Sequence, residues 1–194
     1  MATRRFRYMK ELILASNSPR RRALLAEAGI SFRQIPSGVE ERADPALSPE
    51  RLVESLARQK AEDVYARFGG VVLGADTVVC LNGAVLGKPR SREHAKEMLR
   101  ALSGKKHTVW SGYCLLGAGA PVSGAVSSEV EFRMLSEEEI GAYVASGSPM
   151  DKAGAYGVQD ENTPVRQIVG SYTNVMGLPM ERIAEILKEK GLWV

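Results

Sequence analysis

Residues 71–83 read Val-Val-Leu-Gly-Ala-Asp-Thr-Val-Val-Cys-Leu-Asn-Gly. The run is apolar and rich in β-branched residues on both sides of its centre, which suits a strand buried in a sheet. Asn82-Gly83 is the pair that a two-residue hairpin turn demands, because both central residues of that turn need positive φ. A strand is therefore predicted from Val71 to Leu81 that turns straight back, with Lys88-Pro89 closing the hairpin. Around it, strands alternate with helices from end to end, which predicts an α/β protein. A hairpin among helix-linked strands makes the sheet mixed, not purely parallel.

Working outward, Leu12-Ile13-Leu14-Ala15 predicts a strand running into Ser16-Asn17-Ser18-Pro19-Arg20-Arg21-Arg22. Ser18 suits a helix cap, Pro19 the first helical position and Gly29 the stop. Ser48 and Pro49 repeat that signature for a helix to about Phe68, broken by Gly69-Gly70, and the stretch around Pro36 to Pro49 reads as a loop. Ser91 caps a helix whose Ala95, Met98, Leu99 and Leu102 fall at core spacing, ending at Gly104. Strands are expected near His107 to Leu116 and Val126 to Met134, the second with Val126, Val130, Phe132 and Met134 on one face and a wet opposite face. Ser136 and Glu139 form a capping box for a short helix ending near Gly147. Beyond it the sequence predicts a Gly-rich loop and strand through Val158, a strand near Val165 to Val169, and a last helix from about Pro179 to Lys190, stopped by Gly191.

At 194 residues the chain fits one domain or a closely joined pair, by the usual roughly 100 to 200 residues per domain. Met1 to Lys10 is basic and lacks the apolar segment of a secretory signal, so it reads as an N-terminal extension, leaving 11–194 as a single domain. With 44% hydrophobic and 25% charged residues the composition is that of a soluble globular protein. No apolar run approaches the roughly 20 residues of a membrane span, so no membrane partner is expected. Two cysteines, Cys80 and Cys114, cannot build a disulfide framework, and reduced thiols fit the cytoplasm. A net charge of +3 is too small for a nucleic-acid coat, and aromatics, at 6%, do not cluster with Arg20 to Arg22. Nucleic acid is thus not an expected partner, whereas an anionic small ligand is permitted. Neither the dinucleotide nor the P-loop fingerprint occurs. His94 and His107 have no ligand spacing, so neither zinc nor a His-activated nucleophile is expected.

Several residues sit in costly places. Lys60 interrupts the apolar stripe Leu52, Leu56, Val64, Phe68, where full burial would shift it by about 3 to 5 pK units, roughly 4 to 7 kcal/mol. Either its stem packs while the ammonium reaches water, or it has a phosphate or carboxylate partner. As a phosphate contact in an apolar stripe, it should accept methionine with stability kept or raised and turnover damaged. Asp76, amid Val71-Val72-Leu73 and Val78-Val79, must be paired, metal-bound or catalytic, with an ion pair to Lys60 as the structural alternative. Gly74 and Ala75 leave room beside it for a ligand or a metal. The hairpin register sets Lys88 opposite Thr77, next to Asp76, although period two puts Lys88 and Asp76 on different faces unless a bulge intervenes. The turn at Ser16 to Arg22 is either an anion site at a helix N-terminus or a capped helix with solvated charges. Glu40-Glu41 reads as a solvated loop unless the fold brings it to Asp76, where a hard divalent cation would want clustered carboxylates.

Seven segments in chain order carry a resemblance: Leu14-Ala15-Ser16-Asn17-Ser18-Pro19-Arg20-Arg21, Gly38-Val39-Glu40-Glu41, Ala57-Arg58-Gln59-Lys60-Ala61, Gly74-Ala75-Asp76-Thr77-Val78-Val79, Gly87-Lys88-Pro89, Asp151-Lys152-Ala153-Gly154-Ala155-Tyr156-Gly157-Val158-Gln159, and Gly170-Ser171-Tyr172-Thr173-Asn174-Val175 leading to Gly177-Leu178-Pro179. Together they resemble the Maf proteins, nucleoside triphosphate pyrophosphatases. The resemblance implies a fold similar to the inosine triphosphate pyrophosphatases: an elongated, mixed, twisted sheet with flanking helices, a cleft between two lobes, and a homodimer. It implies hydrolysis of a nucleoside triphosphate to the monophosphate and pyrophosphate with a divalent metal, Mg²⁺ or Mn²⁺, in a house-cleaning role toward modified nucleotides. By the same resemblance Asp76 is the general base, aided by Lys60 and Lys88. Glu41 and Asp76 hold the metal, Ser16 and Arg21 line the substrate site, and Arg20, Thr77 and Gln159 distinguish substrates. Those three residues resemble the dTTP/UTP branch rather than the sister branch acting on 7-methyl-GTP. The chain departs from the pattern in its basic start and at Asp160-Glu161-Asn162, which lacks the usual glycines. The other readings are a non-catalytic nucleotide-binding regulator linked to septum formation and a 7-methyl-GTP pyrophosphatase.

Overall fold

Ser18 and Ser48 each accept the backbone N–H three residues on, from Arg21 and Arg51, and each is followed by proline. Helices α1 (Pro19–Glu27) and α2 (Pro49–Phe68) thus begin where the sequence predicts, and positive φ at Gly29 and Gly69 lets the chain turn away at their ends. The computed structural model describes residues 11–193, so the expected extension at Met1 to Lys10 lies outside the described residues.

Among the described residues, seven strands form one mixed sheet: β1 (Leu12–Leu14), β2 (Phe32–Gln34), β3 (Val71–Leu81), β4 (Ala84–Leu86), β5 (Lys106–Leu116), β6 (Val122–Phe132) and β7 (Val165–Val169). Their order is β2-β1-β3-β5-β6-β7, with β4 added to β3. The pairs β1–β2 and β1–β3 are parallel and the others antiparallel. The hairpin turn is the one read from the sequence, with φ of 50° at Asn82 and 84° at Gly83.

Strand β3 carries the feature that makes a site. Along one edge it pairs with β5 from Val72 to Cys80. Along the other it pairs with β1 only through Leu73 and with β4 only from Val79. Residues 74–78 therefore present an open edge between two short partners, a change of strand neighbour of the kind that creates crevices in α/β sheets.

Alternation along β3 sends Gly74, Asp76 and Val78 to one face and Leu73, Ala75, Thr77 and Val79 to the other. Helix α2 covers the first face, packing Ala57, Ala61 and Val64 on Ile13, Val72 and Cys114, and Leu52, Val53 and Leu56 on Val78. It lies so close that a Cβ at Gly74 or Gly112 would stand 2.2 Å from the carbonyl oxygen of Ala57 or Val53. The second face is covered by α1 and α6 (Met180–Glu189) at one end, through Leu25, Ile183 and Leu187. At the other end it is covered by α3 (Arg92–Leu102) and α4 (Glu137–Ala145), through Leu99, Leu102 and Ile140. Each such side chain, fully buried, contributes about 1.5 to 3 kcal/mol.

Two expectations need correction, and two short elements are additions. The strand through Val158 is absent: residues 148–155 form two 3₁₀ turns, Ser148–Asp151 and Ala153–Ala155. Positive φ at Gly154 and Ala155, and a bond from Gly154 N–H to the Gly87 carbonyl (3.0 Å), fold this run onto the hairpin. Strand β6 starts at Val122 and stops at Phe132, because its register with β7 shifts at Glu131/Phe132; Met134 is outside it and 75% exposed. Finally, β2 and the five-residue helix α5 (Tyr172–Met176) escaped the sequence reading, being too short to show a period.

Under α3 and α4, His107 is buried with its ring edge-on to Phe132 and Tyr156, and its Nε2 bonds to the Tyr156 hydroxyl at 2.8 Å. Burial lowers its pKa from the ordinary 6.5 to about 4. The folded state thus resists protonation, and the unfolded chain binds the extra proton between those values. Stability is expected to fall by about 3 kcal/mol as pH drops from 7 to 4. Denaturant unfolding at stepped pH checks this, with His107→Asn expected to flatten the slope between pH 6.5 and 4.

Candidate active site

A cleft of about 450 Å³ opens at the unpaired edge of β3 and draws residues from both faces of the sheet. On the α2 side, the Lys60 ammonium lies 2.5 Å from Asp76 Oδ1 and 3.0 Å from Glu41 Oε1. Lys60 and Asp76 side chains are each 13% exposed, so this lysine is partnered and does not reach for open water. Glu41 arrives on the loop after β2, and α2 itself clasps that loop. Gln59 Oε1 accepts from Arg42 N–H and its Nε2 donates to the Arg42 carbonyl, while Asp63 accepts from Gly38 N–H and Ser37 Oγ. The Gly38 N–H holds the Asp63 carboxyl below its usual range. Nothing in the local sequence around Gln59 and Asp63 signals this clasp.

The Lys60–Asp76 pair overturns the expectation for Lys60→Met. A methionine would strand the buried Asp76 carboxylate, and removing one partner of a buried pair costs about 3 kcal/mol. Melting temperature is therefore expected to fall together with turnover; an unchanged melting temperature would mean that Asp76 does not need this cation.

On the opposite face, Arg21 is buried and anchored three ways: Nε donates to the Gly177 carbonyl (2.8 Å), Nη1 to Ser16 Oγ (3.1 Å) and Nη2 to Thr77 Oγ1 (3.1 Å). Thr77 in turn bonds Ser111 Oγ (2.8 Å), which donates to the Asn174 carbonyl (2.9 Å). Burial pushes the Arg21 pKa down, a change that the Asp76 charge opposes. The basic run thus divides: Arg20 and Arg21 line the cleft, whereas Arg22 is exposed away from it. Ser16 is not on the cleft wall; it sits behind Arg21 and also accepts from Ser18 N–H.

Arg20 crosses to Asp151, with Nη1 to Oδ2 at 2.8 Å and Nη2 to the carbonyl at 3.3 Å. Lys88 lines the cleft and is exposed, beyond the last β3–β4 pair, Val79↔Leu86. The conflict of faces with Asp76 disappears because the ladder ends before reaching it. Gln159 is exposed on the rim. Two charged cleft residues went unread as site residues, Asp151 and the buried Lys152; an Asp-Lys pair inside a run of small residues was the available signal. In total Arg20, Arg21, Lys60, Lys88 and Lys152 outnumber Glu41, Asp76 and Asp151 on the walls, a surplus suited to a polyphosphate.

Among the described residues no three His, Cys, Asp or Glu side chains gather as a metal cage. Glu41 and Asp76, sharing one ammonium, supply carboxylate oxygens alone. That set fits a Mg²⁺-like ion, which takes one or two carboxylates and completes its shell with water and substrate phosphate.

Against known proteins, the family model described as Maf-like protein matches residues 11–190. The chain is 49% identical over 184 residues to the protein named dTTP/UTP pyrophosphatase of Thermococcus onnurineus (strain NA1), covering 94% of this chain and 99% of that one. It is 48% identical over 182 residues to the protein of the same name from Escherichia coli O157:H7, covering 92% of each. Among solved structures, the HAM1 protein from Coxiella burnetii superposes with a TM-score of 0.55 at 21% identity, over 93% of this chain and 100% of that one, a likeness of fold.

Proposed function

The chain belongs to the Maf-like family, and from that membership we propose that it hydrolyses nucleoside triphosphates, dTTP and UTP foremost, to the monophosphate and pyrophosphate. The observation that carries the reading is Asp76, a carboxylate at an open strand edge, held by Lys60 beside Glu41 in a cleft whose walls are otherwise cationic. Catalysis of phosphoryl transfer is largely a matter of positioning and charge stabilisation, and the cleft is built for both.

Arg21 and Lys88 bind the triphosphate and neutralise charge as water attacks the α phosphorus and its bond to the α,β-bridging oxygen breaks, that oxygen leaving with pyrophosphate. Ser16 and Thr77 accept from Arg21 and hold it in place, so its guanidinium needs no reorganisation during the reaction. Lys60 fixes Oδ1 of Asp76, and Oδ2, which has no protein partner among the described residues, takes the proton from the attacking water. A divalent cation, Mg²⁺ or Mn²⁺, on Glu41 and Asp76 would supply further neutralisation and acidify a bound water. Arg20, Thr77 and Gln159 provide the fixed donors and acceptors with which a pyrimidine is told from other bases. Among the described residues no helix is long and apolar enough to cross a membrane, and Cys80 and Cys114 are unbridged. On the family resemblance we also infer a homodimer working in the cytoplasm on free nucleotides, including modified ones.

A panel of dTTP, UTP, CTP and 7-methyl-GTP with Mg²⁺ or Mn²⁺ tests the reading through pyrophosphate release. The expected order places dTTP and UTP first. A preference for 7-methyl-GTP would reassign the branch, and binding without turnover would make the chain a regulator.

A further inference from the structure

Asp160 stands between the cleft and a second cavity of about 520 Å³ beneath α4, and its carboxylate is bonded toward both. Its Oδ2 accepts from the Tyr143 hydroxyl (2.5 Å) and from Ser148 Oγ (2.7 Å), and lies 3.8 Å from the Lys152 ammonium. Its Oδ1 accepts from Gln159 Nε2 at 3.3 Å. Tyr143 passes the restraint on by accepting from Gly157 N–H (2.9 Å). The approach is tight, since a Cβ at Gly157 would stand 2.5 Å from Asp160 Oδ1 and 2.7 Å from Lys152 Cε. Lys152, Gly157 and Gln159 all line the cleft; Asp160 does not. The mechanism above leaves this carboxylate without a role, although its side chain is only 14% exposed.

A carboxylate at neutral pH can only accept hydrogen bonds, whereas a glutamine amide offers a donor at one end and an acceptor at the other. An amide free to turn presents either end to a ligand. Next to Asp160 it has one favourable orientation: Nε2 turned back to the carboxylate and Oε1 turned outward. We propose that Asp160 is a positioning residue for base selection, fixing the Gln159 amide so that its carbonyl oxygen faces the base, and holding the Lys152 and Gly157 rim through Tyr143 and Ser148. Uracil and thymine carry an imide N–H between two carbonyls and can donate to such an acceptor. Cytosine has a bare ring nitrogen there and leaves it unpaired. The inference rests on the reading of this cleft as a nucleoside triphosphate site and sharpens it to an imide-bearing base.

The test is the UTP-to-CTP ratio of kcat/KM, joined to calorimetric binding of the non-hydrolysable α,β-imido analogues of both. Wild type is expected to favour UTP by about a hundredfold or more, since a site built around a hydrogen bond discriminates strongly against the analogue that lacks it. Asp160→Asn can accept from or donate to Gln159, so the amide is released, and the ratio should fall by about tenfold with kcat for UTP changed far less. Asp160→Gly should lower the ratio at least as much, and carries the test if the asparagine variant does not fold. A loss of rate equal for both nucleotides would mark Asp160 as structural and overturn the proposal, as would wild-type discrimination in either variant or none in wild type. If wild type binds the UTP analogue but does not cleave UTP, hydrolysis falls while the binding ratio still reads the proposal. If it cleaves UTP and the variants keep its ranking, the proposal falls and hydrolysis stands.

Discussion

Asp76→Asn is expected to lower pyrophosphate release from dTTP by about a thousandfold or more while leaving a folded protein. The amide preserves the shape of the side chain, so neither the α2 packing nor the Gly74 approach changes. What disappears is the charge, and with it both the proton acceptor and half of the carboxylate pair proposed to hold the cation. Lys60 keeps Glu41 at 3.0 Å, so it is not stranded, and the loss of stability should stay near 1 kcal/mol. Initial rates of pyrophosphate release with a melting curve on the same sample check both halves. Turnover within tenfold of wild type would remove Asp76 from the chemistry.

Gly112→Ala is expected to cost about 3 kcal/mol or more, the upper end of what overpacking a core does. The added methyl would stand 2.2 Å from the Val53 carbonyl oxygen and 2.3 Å from its carbon, both backbone atoms of α2, so no rotamer change relieves it. The helix must lift from β5, and Lys60 leaves with it, since Asp76 pairs directly with Gly112 in the sheet register. Stability and turnover should therefore fall together. Gly141, inside α4 with nothing within 4 Å of an added Cβ, is the control, where alanine should stabilise by about 0.5 to 1 kcal/mol. Denaturant unfolding measures both; equal stabilities for the two variants would mean that α2 does not sit tightly on the sheet.

Much of this architecture was legible because local chemistry and tertiary structure agree. Ser-Pro caps start α1 and α2, Asn82-Gly83 turns β3 into β4, and the Ser136–Glu139 box opens α4, each by bonds within four residues of sequence. The segments misread are those settled by distant contacts. Residues 148–155 turn because Gly154 bonds Gly87 and packs on Val79, which no local pattern announces. The same division holds at the site. Lys60 and Asp76 stood out because charge in an apolar run needs a partner, and the fold makes them each other's. The open edge of β3 was invisible, being a property of where β1 stops and β4 begins. So was the position of Ser16 behind Arg21, whereas Asp151 and Lys152 show in the sequence as an Asp-Lys pair among small residues and take their partners only where Arg20 and Asp160 reach them.

The central claim is hydrolysis of the anhydride between the α and β phosphates at the Asp76 edge. Product analysis after purified protein is incubated with dTTP and Mg²⁺, resolved by anion-exchange chromatography, tests it most directly. The expected products are dTMP and pyrophosphate in equal amounts, both formed about a thousandfold or more slowly with Asp76→Asn. Formation of dTDP with orthophosphate, or of dTMP at the same rate from the Asp76→Asn protein, would contradict it.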